Sequence, residues 1–376
     1  MENDKQHVLI ATLNDVRHFT TLLRCVAFQQ RVKVIISEAG LSITVEEART
    51  LKSTAYIPNN VFTTYTFNPP PSSDLDQTPL KSQDSSSPPP LPDAALEINL
   101  THLIECLSIF GTVGSSTGGS DETKKGKSRD DGDSEDDFPG RKKDLMSGEA
   151  KGVRITAGRI SWAGPGEPLE LVLKDESSES APTTVCSLST SETDLADNID
   201  LSPPDESSLH IICRASWLRD ALSSLDASTD KVTFMSIVPE TDYAGKSGKS
   251  KDPGVDFRIE ADSTWGGVQM DFKNSQPLCL LFQRTESIRQ TYRKSLLLRA
   301  LRAITVSARV SIQLDTSGVF FMQCMVPSTI PLETTGVMNE EERLRRREIK
   351  ERRKMGEIND GIVEFSMMCL EDMDED

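Results

Sequence analysis

His7–Ser37 reads HVLIATLNDVRHFTTLLRCVAFQQRVKVIIS. A short apolar run, His7–Leu13, passes at once into an amphipathic stretch, Asn14–Phe28, and then into a strand-like segment, Arg31–Ser37. The second half of the chain repeats the pattern: Leu209–Cys213 (LHIIC), Ala215–Leu225 (ASWLRDALSSL) and Lys231–Val238 (KVTFMSIV). In both copies strand, helix and strand follow with almost no loop. Two tandem copies of one strand-rich unit point to an assembly built by symmetry, a scaffold more than an active site.

The remaining sequence fits two such units. The chain has 376 residues, a length that allows two domains. Only 36% is hydrophobic and 5% aromatic, low for an ordered chain of this size. The deficit is local. Asn68–Asp93, Thr112–Gly152, Ser191–Ser207, Glu240–Pro253 and Pro331–Asp360 are rich in Ser, Pro, Gly and charge, and bury too little apolar surface to offset their ordering entropy. Without them a core of roughly 250 residues is left, enough for two ordinary domains.

The coarse reading of each half is two helices and eight or nine strands. In the first half Ile43–Glu46, Thr54–Pro58, Val61–Phe67, Val153–Trp162, Leu169–Leu173 and Thr183–Ser189 read as strands, and Leu100–Phe110 as a second helix. In the second half Val255–Asp262, Trp265–Phe272, Leu278–Phe282, Arg309–Leu314, Val319–Val326 and Ile362–Leu370 read as strands, and Ser287–Thr305 as the second helix region. Helices segregated on one side of large antiparallel sheets make the class α+β.

Several function classes find little support. Seven cysteines lie far apart with no CxxC pair, the pattern of buried reduced thiols in an intracellular protein. The opening MENDKQHVLI has no signal-peptide pattern, and no run approaches the about 20 apolar residues of a membrane span. Gly-Lys-Ser occurs at Gly126, Gly245 and Gly248, but the Gly required five residues earlier is replaced by Asp121, Glu240 and Tyr243, which excludes a phosphate-binding loop. His7, His18, His102 and His210 have no paired ligand spacing, and no GxSxG elbow exists, so no metal site, cofactor or catalytic residue is assigned. The best carboxylate pair for a metal-dependent nuclease is Glu260 and Asp262. That strand face also carries Asp256 and Arg258 opposite an apolar face, the pattern of the solvent side of a half-buried strand.

Net charge is −17 and the pI near 4.8, so bulk charge does not suggest a nucleic-acid binder. The basic residues are not spread evenly, however. The first helix sets Arg17 and Arg24 against a face of Val16, Phe19, Leu22, Leu23 and Val26. The helix opening the second half shows Arg219, with Arg214 just before it, and the last helix region holds Arg289, Arg293, Lys294, Arg299 and Arg302 against one acid, Glu286. Leu100–Phe110 is the exception, with only His102 and Glu105. Cationic helices behind acidic sheets suit a ring threaded by a phosphate backbone.

Several stretches carry a family resemblance: LIATLNDVRHFTTLLRCVAF, VKVIISEAGLSITVEEA, ADSTWGGVQMDF, VSIQLDTSGVFFMQCMV and the closing GIVEFSMMCLED. In their order and joint presence the chain resembles the eukaryotic sliding-clamp fold typified by PCNA, and in particular the Rad-one family of checkpoint-clamp subunits. The resemblance covers both halves but not the inserts. It implies two tandem PCNA-like domains, each with two helices packed on antiparallel sheets: 1–190 with disordered inserts about 68–95 and 112–152, a connecting loop 191–207, and 208–376 with an insert about 331–360.

The resemblance further implies a non-catalytic nuclear subunit that joins two other clamp subunits in a heterotrimeric ring around double-stranded DNA. An ATP-dependent clamp loader would open the ring, and checkpoint and repair proteins would be recruited to it, with no membrane involved. The channel-facing candidates are Arg17, Arg24, Arg219, Arg289, Arg293, Lys294, Arg299 and Arg302. Members of the family have been labelled exonucleases, so a metal-dependent 3′-to-5′ exonuclease stands as the alternative, without a carboxylate cluster to support it. The stretch Arg343, Arg345, Arg346, Arg347, Lys350, Arg352, Arg353 and Lys354 reads as a nuclear-import signal or as a solvated helix closing a hairpin.

Overall fold

The computed structural model describes residues 7–69, 93–110, 155–175, 182–193, 201, 207–236, 257–272, 279–328 and 360–370. The first half runs β1 (Leu9–Leu13), α1 (Val16–Cys25), β2 (Arg31–Ser37), β3 (Gly40–Glu47), β4 (Leu51–Pro58), β5 (Thr64–Phe67), β6 (Ala94–Asn99), α2 (Leu100–Leu107), β7 (Thr156–Trp162), β8 (Leu169–Asp175) and β9 (Thr183–Leu188). The second runs β10 (Leu209–Arg214), α3 (Ala215–Ser223), β11 (Lys231–Ser236), β12 (Phe257–Ser263), β13 (Gly266–Phe272), β14 (Cys279–Arg284), β15 (Ile288–Arg293), α4 (Lys294–Val306), β16 (Arg309–Leu314), β17 (Val319–Val326) and β18 (Gly361–Met368). A short 3-10 turn, Asn59–Val61, separates β4 from β5.

The strands form three antiparallel sheets, ordered β5-β1-β7-β8-β9, β14-β10-β16-β17-β18-β4-β3-β2-β6, and β13-β12-β11-β15. Adding nine to each strand number turns β5-β1-β7-β8-β9 into β14-β10-β16-β17-β18, and β4-β3-β2-β6 into β13-β12-β11-β15. The repeat read in the sequence is therefore a repeat of topology. The halves join where β18 pairs with β4, from Ile362 opposite Tyr56 to Met367 opposite Leu51. Ser53 Oγ reinforces this seam by donating to the Glu364 carbonyl at 2.9 Å, and the Met368 amide donates to the Thr50 carbonyl at 2.9 Å.

The helices cover the buried faces of the sheets. Asp15 caps α1, its carboxylate accepting from the Arg17 amide at 3.0 Å, and Val16, Phe19, Leu22 and Leu23 turn inward. A side chain at Gly361 would obstruct this packing: a Cβ built there would lie 2.5 Å from Leu22, so its absence lets α1 sit directly on the seam strand. On α4, Leu296, Leu297, Ala300, Ala303 and Ile304 are buried. One continuous apolar core spans both halves. In the second half Phe234, Phe257, Phe320 and Tyr292 pack ring against ring, with centroids 5.2–5.9 Å apart.

Two strands escaped the sequence reading, and they are counterparts. Ser287–Thr305 is not one helical region: Ile288–Arg293 is β15, and α4 begins only at Lys294. Likewise Ala94 and Ala95, assigned to the insert about 68–95, open β6. In both, the buried residues recur on one strand face and the last strand residue leads into the helix without a loop. Asn68, at the other end of that insert, donates its amide to the Val8 carbonyl at 2.8 Å. The insert 112–152 and the basic stretch Arg343–Lys354 lie outside the described residues. Within 191–207, Ser191 bridges to Glu97, and Leu201 is buried beside Lys52, Tyr56, Phe321 and Glu364, where they line a cavity of about 200 Å³ over the seam.

Candidate nucleic-acid surface

The helical layer is the cationic part of this acidic chain. Its four helices carry Arg17, Arg24, Arg219, Lys294, Arg299 and Arg302 against Glu105 and Asp220. Contacts between α2 and α1, α1 and α4, and α4 and α3 make the layer continuous across the two halves.

The structure sorts the eight sequence candidates. Arg302 is exposed, with no ion pair among the described residues, and stands near Arg24, which is half-buried. Burial, and then the charge of Arg302, hold the Arg24 guanidinium below its ordinary value. Arg24 also donates to Ser108 Oγ at 3.0 Å, reaching from α1 to the end of α2. The α1–α4 contact thus gathers one arginine from each half. The tandem repeat is the sequence signal for this pairing, but only the β4–β18 seam shows which helices become neighbours.

Three others are engaged by carboxylates on the same layer or its border. Arg17 holds the Asp15 carboxylate through Nε at 2.8 Å and Nη2 at 2.5 Å. Arg219 pairs with Asp220 at 2.9 Å. Arg299 reaches across to Glu47 at the end of β3, with Nε–Oε2 and Nη2–Oε1 both 3.1 Å. That fork ties α4 of the second half to a hairpin of the first.

The other three are corrected. Arg289 and Arg293 lie on β15, not on a helix, on the strand face turned away from the buried Ile288 and Tyr292. Arg289 pairs with Glu260 at 3.4 Å. Lys294 is buried, and its ammonium donates to the Asp226 carbonyl. A strand period of two, not a helical one, governs Ile288–Arg293, and this separates those two arginines from the helical layer.

His18 adds no charge to this surface at neutral pH. Burial lowers His18 on α1 to about 4, and His210 is also lowered by burial. Of the two carboxylates weighed for nuclease chemistry, Glu260 is tied to arginines and Asp262 is exposed beside the β12–β13 turn. Glu260 lies 3.6 Å from Arg258 and 3.4 Å from Arg289, while Asp271 is held by Arg258 at 2.6 Å. No helix among the described residues is long and apolar enough to cross a membrane.

The family model described as "Repair protein Rad1/Rec1/Rad17" matches residues 8–326. This chain belongs to the Rad1/Rec1/Rad17 repair-protein family. Its α+β architecture is the PCNA-like clamp of that family, two tandem units each with two helices on antiparallel sheets. Among Rad1/Rec1/Rad17 relatives, the human "Cell cycle checkpoint protein RAD1" is 25% identical over 325 residues, covering 86% of this chain and 88% of that protein. "DNA repair exonuclease REC1" of Mycosarcoma maydis is 23% identical, covering 85% and 88%. "DNA damage checkpoint control protein rad1" of Schizosaccharomyces pombe is 23% identical, covering 83% and 79%. Membership in the Rad1/Rec1/Rad17 family places this chain among DNA-damage checkpoint and repair proteins.

Proposed function

We propose that this chain is a non-catalytic subunit of a heterotrimeric sliding clamp that encircles duplex DNA at damage sites in the nucleus and recruits checkpoint-signalling and repair proteins. Its two repeats, read as domains 1–190 and 208–376 joined by 191–207, form one third of a six-unit ring. The observation that carries the reading is the β4–β18 seam. Under the nine-strand offset, β4 corresponds to β13 and β18 to β9. Inside the chain β4 and β18 satisfy each other, while β9 and β13 are sheet edges among the described residues. Repeating the internal junction between chains joins the β9 edge of one to the β13-type edge of the next, a head-to-tail contact that closes into a ring if the rotation allows.

The cationic layer supports the DNA side of the reading. Arg24 and Arg302 suit loose phosphate contacts, which orient a duplex without reading its sequence. Retention then comes from topology, and an ATP-dependent loader opens the ring. The name of the fungal relative keeps exonuclease chemistry as the rival. Against it, the arginines at Glu260 offset the charge of one member of the carboxylate pair that a metal would need.

The test loads the purified complex onto a nicked circular duplex with the loader and ATP. The clamp reading predicts retention through a high-salt wash on the circle and loss when the circle is cut. Equal loss from circular and linear DNA contradicts it. Robust 3′-to-5′ digestion that disappears in Glu260→Gln/Asp262→Asn favours the rival.

A further inference from the structure

We propose that Trp265 anchors the β13 edge to the neighbouring clamp subunit, seating in an apolar recess at the end of that subunit's edge strand; this rests on the ring reading above. Trp265 is 90% exposed, at the turn between β12 and β13. A large aromatic ring left in water at the tip of an unpaired edge is a group with unspent burial energy.

Hydrogen bonds hold the backbone of the turn that carries the ring. The Trp265 amide donates to Ser263 Oγ at 3.3 Å, and Ser263 Oγ donates to the Gly266 carbonyl at 2.8 Å. Thr264 is tied to the loop before β11: its amide and hydroxyl reach Ser228 Oγ at 3.3 and 3.1 Å, and Ser228 Oγ in turn donates to Asp226 at 2.5 Å. Gly266 completes the turn at φ +135°, a conformation that side-chain-bearing residues rarely adopt. A backbone already held loses little conformational freedom on docking, and aromatic anchors dominate interface energetics.

The internal junction shows what the turn would meet. The corresponding hairpin, β3–β4, places its turn against the end of β18, where the Met368 amide donates to the Thr50 carbonyl at 2.9 Å. It also reaches the second helix of the other half, through Glu47 and Arg299 at 3.1 Å. Carried to the β13 edge, this geometry sets Trp265 against the last residues of the neighbour's edge strand, with Ser263 in the place of Glu47.

On the ring reading the partner is the neighbouring, different clamp subunit, and the feature that receives Trp265 is an apolar seat beside its edge strand.

The experiment uses the full chain and the two other clamp subunits. In the wild type, acrylamide should quench the exposed tryptophan in the isolated chain and lose access to it in the complex. Trp265→Ala should weaken binding to one neighbour on the order of tenfold or more, leave the other neighbour's affinity unchanged, and leave the thermal midpoint of the isolated chain unchanged. Trp265→Phe should restore part of the affinity. If the ring assembles but Trp265→Ala binds both neighbours like wild type, the anchor assignment falls while the ring reading stands. If the wild type forms no ring, the ring reading itself falls. Self-association of the isolated chain that depends on Trp265 overturns the choice of partner.

Discussion

Arg302 on α4 and Arg24 on α1 come from opposite halves of the chain, yet they are close enough for the charge of Arg302 to join burial in lowering the Arg24 guanidinium. Like charges this near disfavour one another, and a phosphate on the proposed DNA path would ease that repulsion. Arg24→Glu/Arg302→Glu should therefore reduce DNA association by the assembled complex and flatten its dependence on log[salt] by as much as about 2, the slope from two phosphate contacts. Subunit assembly should be unaffected. Reversing Arg289, which pairs with Glu260, should leave DNA association unchanged. Salt titrations of the wild-type and variant complexes check both.

The Arg299–Glu47 fork, at 3.1 Å through both nitrogens, should couple the two halves modestly. Both side chains are partly exposed, so the coupling in an Arg299→Ala/Glu47→Gln double-mutant cycle should be about 0.5 kcal/mol, shrinking as salt rises. Urea unfolding at low and high salt measures it. A coupling of zero at low salt would show that the fork holds nothing together.

Gly361 should tolerate no larger residue. A Cβ there would stand 2.5 Å from Leu22, so Gly361→Val forces α1 off the seam and should destabilise the fold by roughly 1–3 kcal/mol. Leu22→Ala in the same chain should recover part of that loss by making room. Thermal unfolding of the single and double variants decides the matter.

His18 should make the chain acid-sensitive. Burial holds its imidazole at about 4 against the ordinary 6.5, with Asp360 and Asp15 opposing the shift. Between those values the unfolded chain binds the proton and the folded chain does not. Stability is thus fully present above pH 6.5 and falls as the pH drops towards 4, by at most about 3 kcal/mol. His18→Gln should flatten unfolding stability over that window while leaving the slope at higher pH alone. An unchanged slope would show that His18 is accessible to protons in the fold.

Much of the architecture was legible in the sequence because its periodicities are strong. Arg31–Ser37 alternates cleanly and is β2 at those bounds, and the Val16–Phe19–Leu22–Leu23 face of α1 follows a helical period. Ile288–Arg293 misled because basic residues fall at both strand and helix spacings there, and the strand enters α4 without a turn signal. The candidate surface was legible only in outline. Its overall sign follows from the basic residues gathered on the helical stretches, but Lys294 is buried and Arg299 engaged through contacts far apart in sequence: Asp226 for one and Glu47 for the other. The register of β18 on β4 was hidden as well, because edge strands pair through backbone groups that any sequence supplies.

That register makes the central claim testable. If the β4–β18 seam is the internal copy of a contact between subunits, this chain must complete a ring with two different clamp-like chains. Native mass spectrometry of the co-purified complex measures this directly. The account predicts one species of 1:1:1 composition. A stable homotrimer with no affinity for such partners, or a lone monomer at concentrations where other clamp subunits assemble, would contradict it.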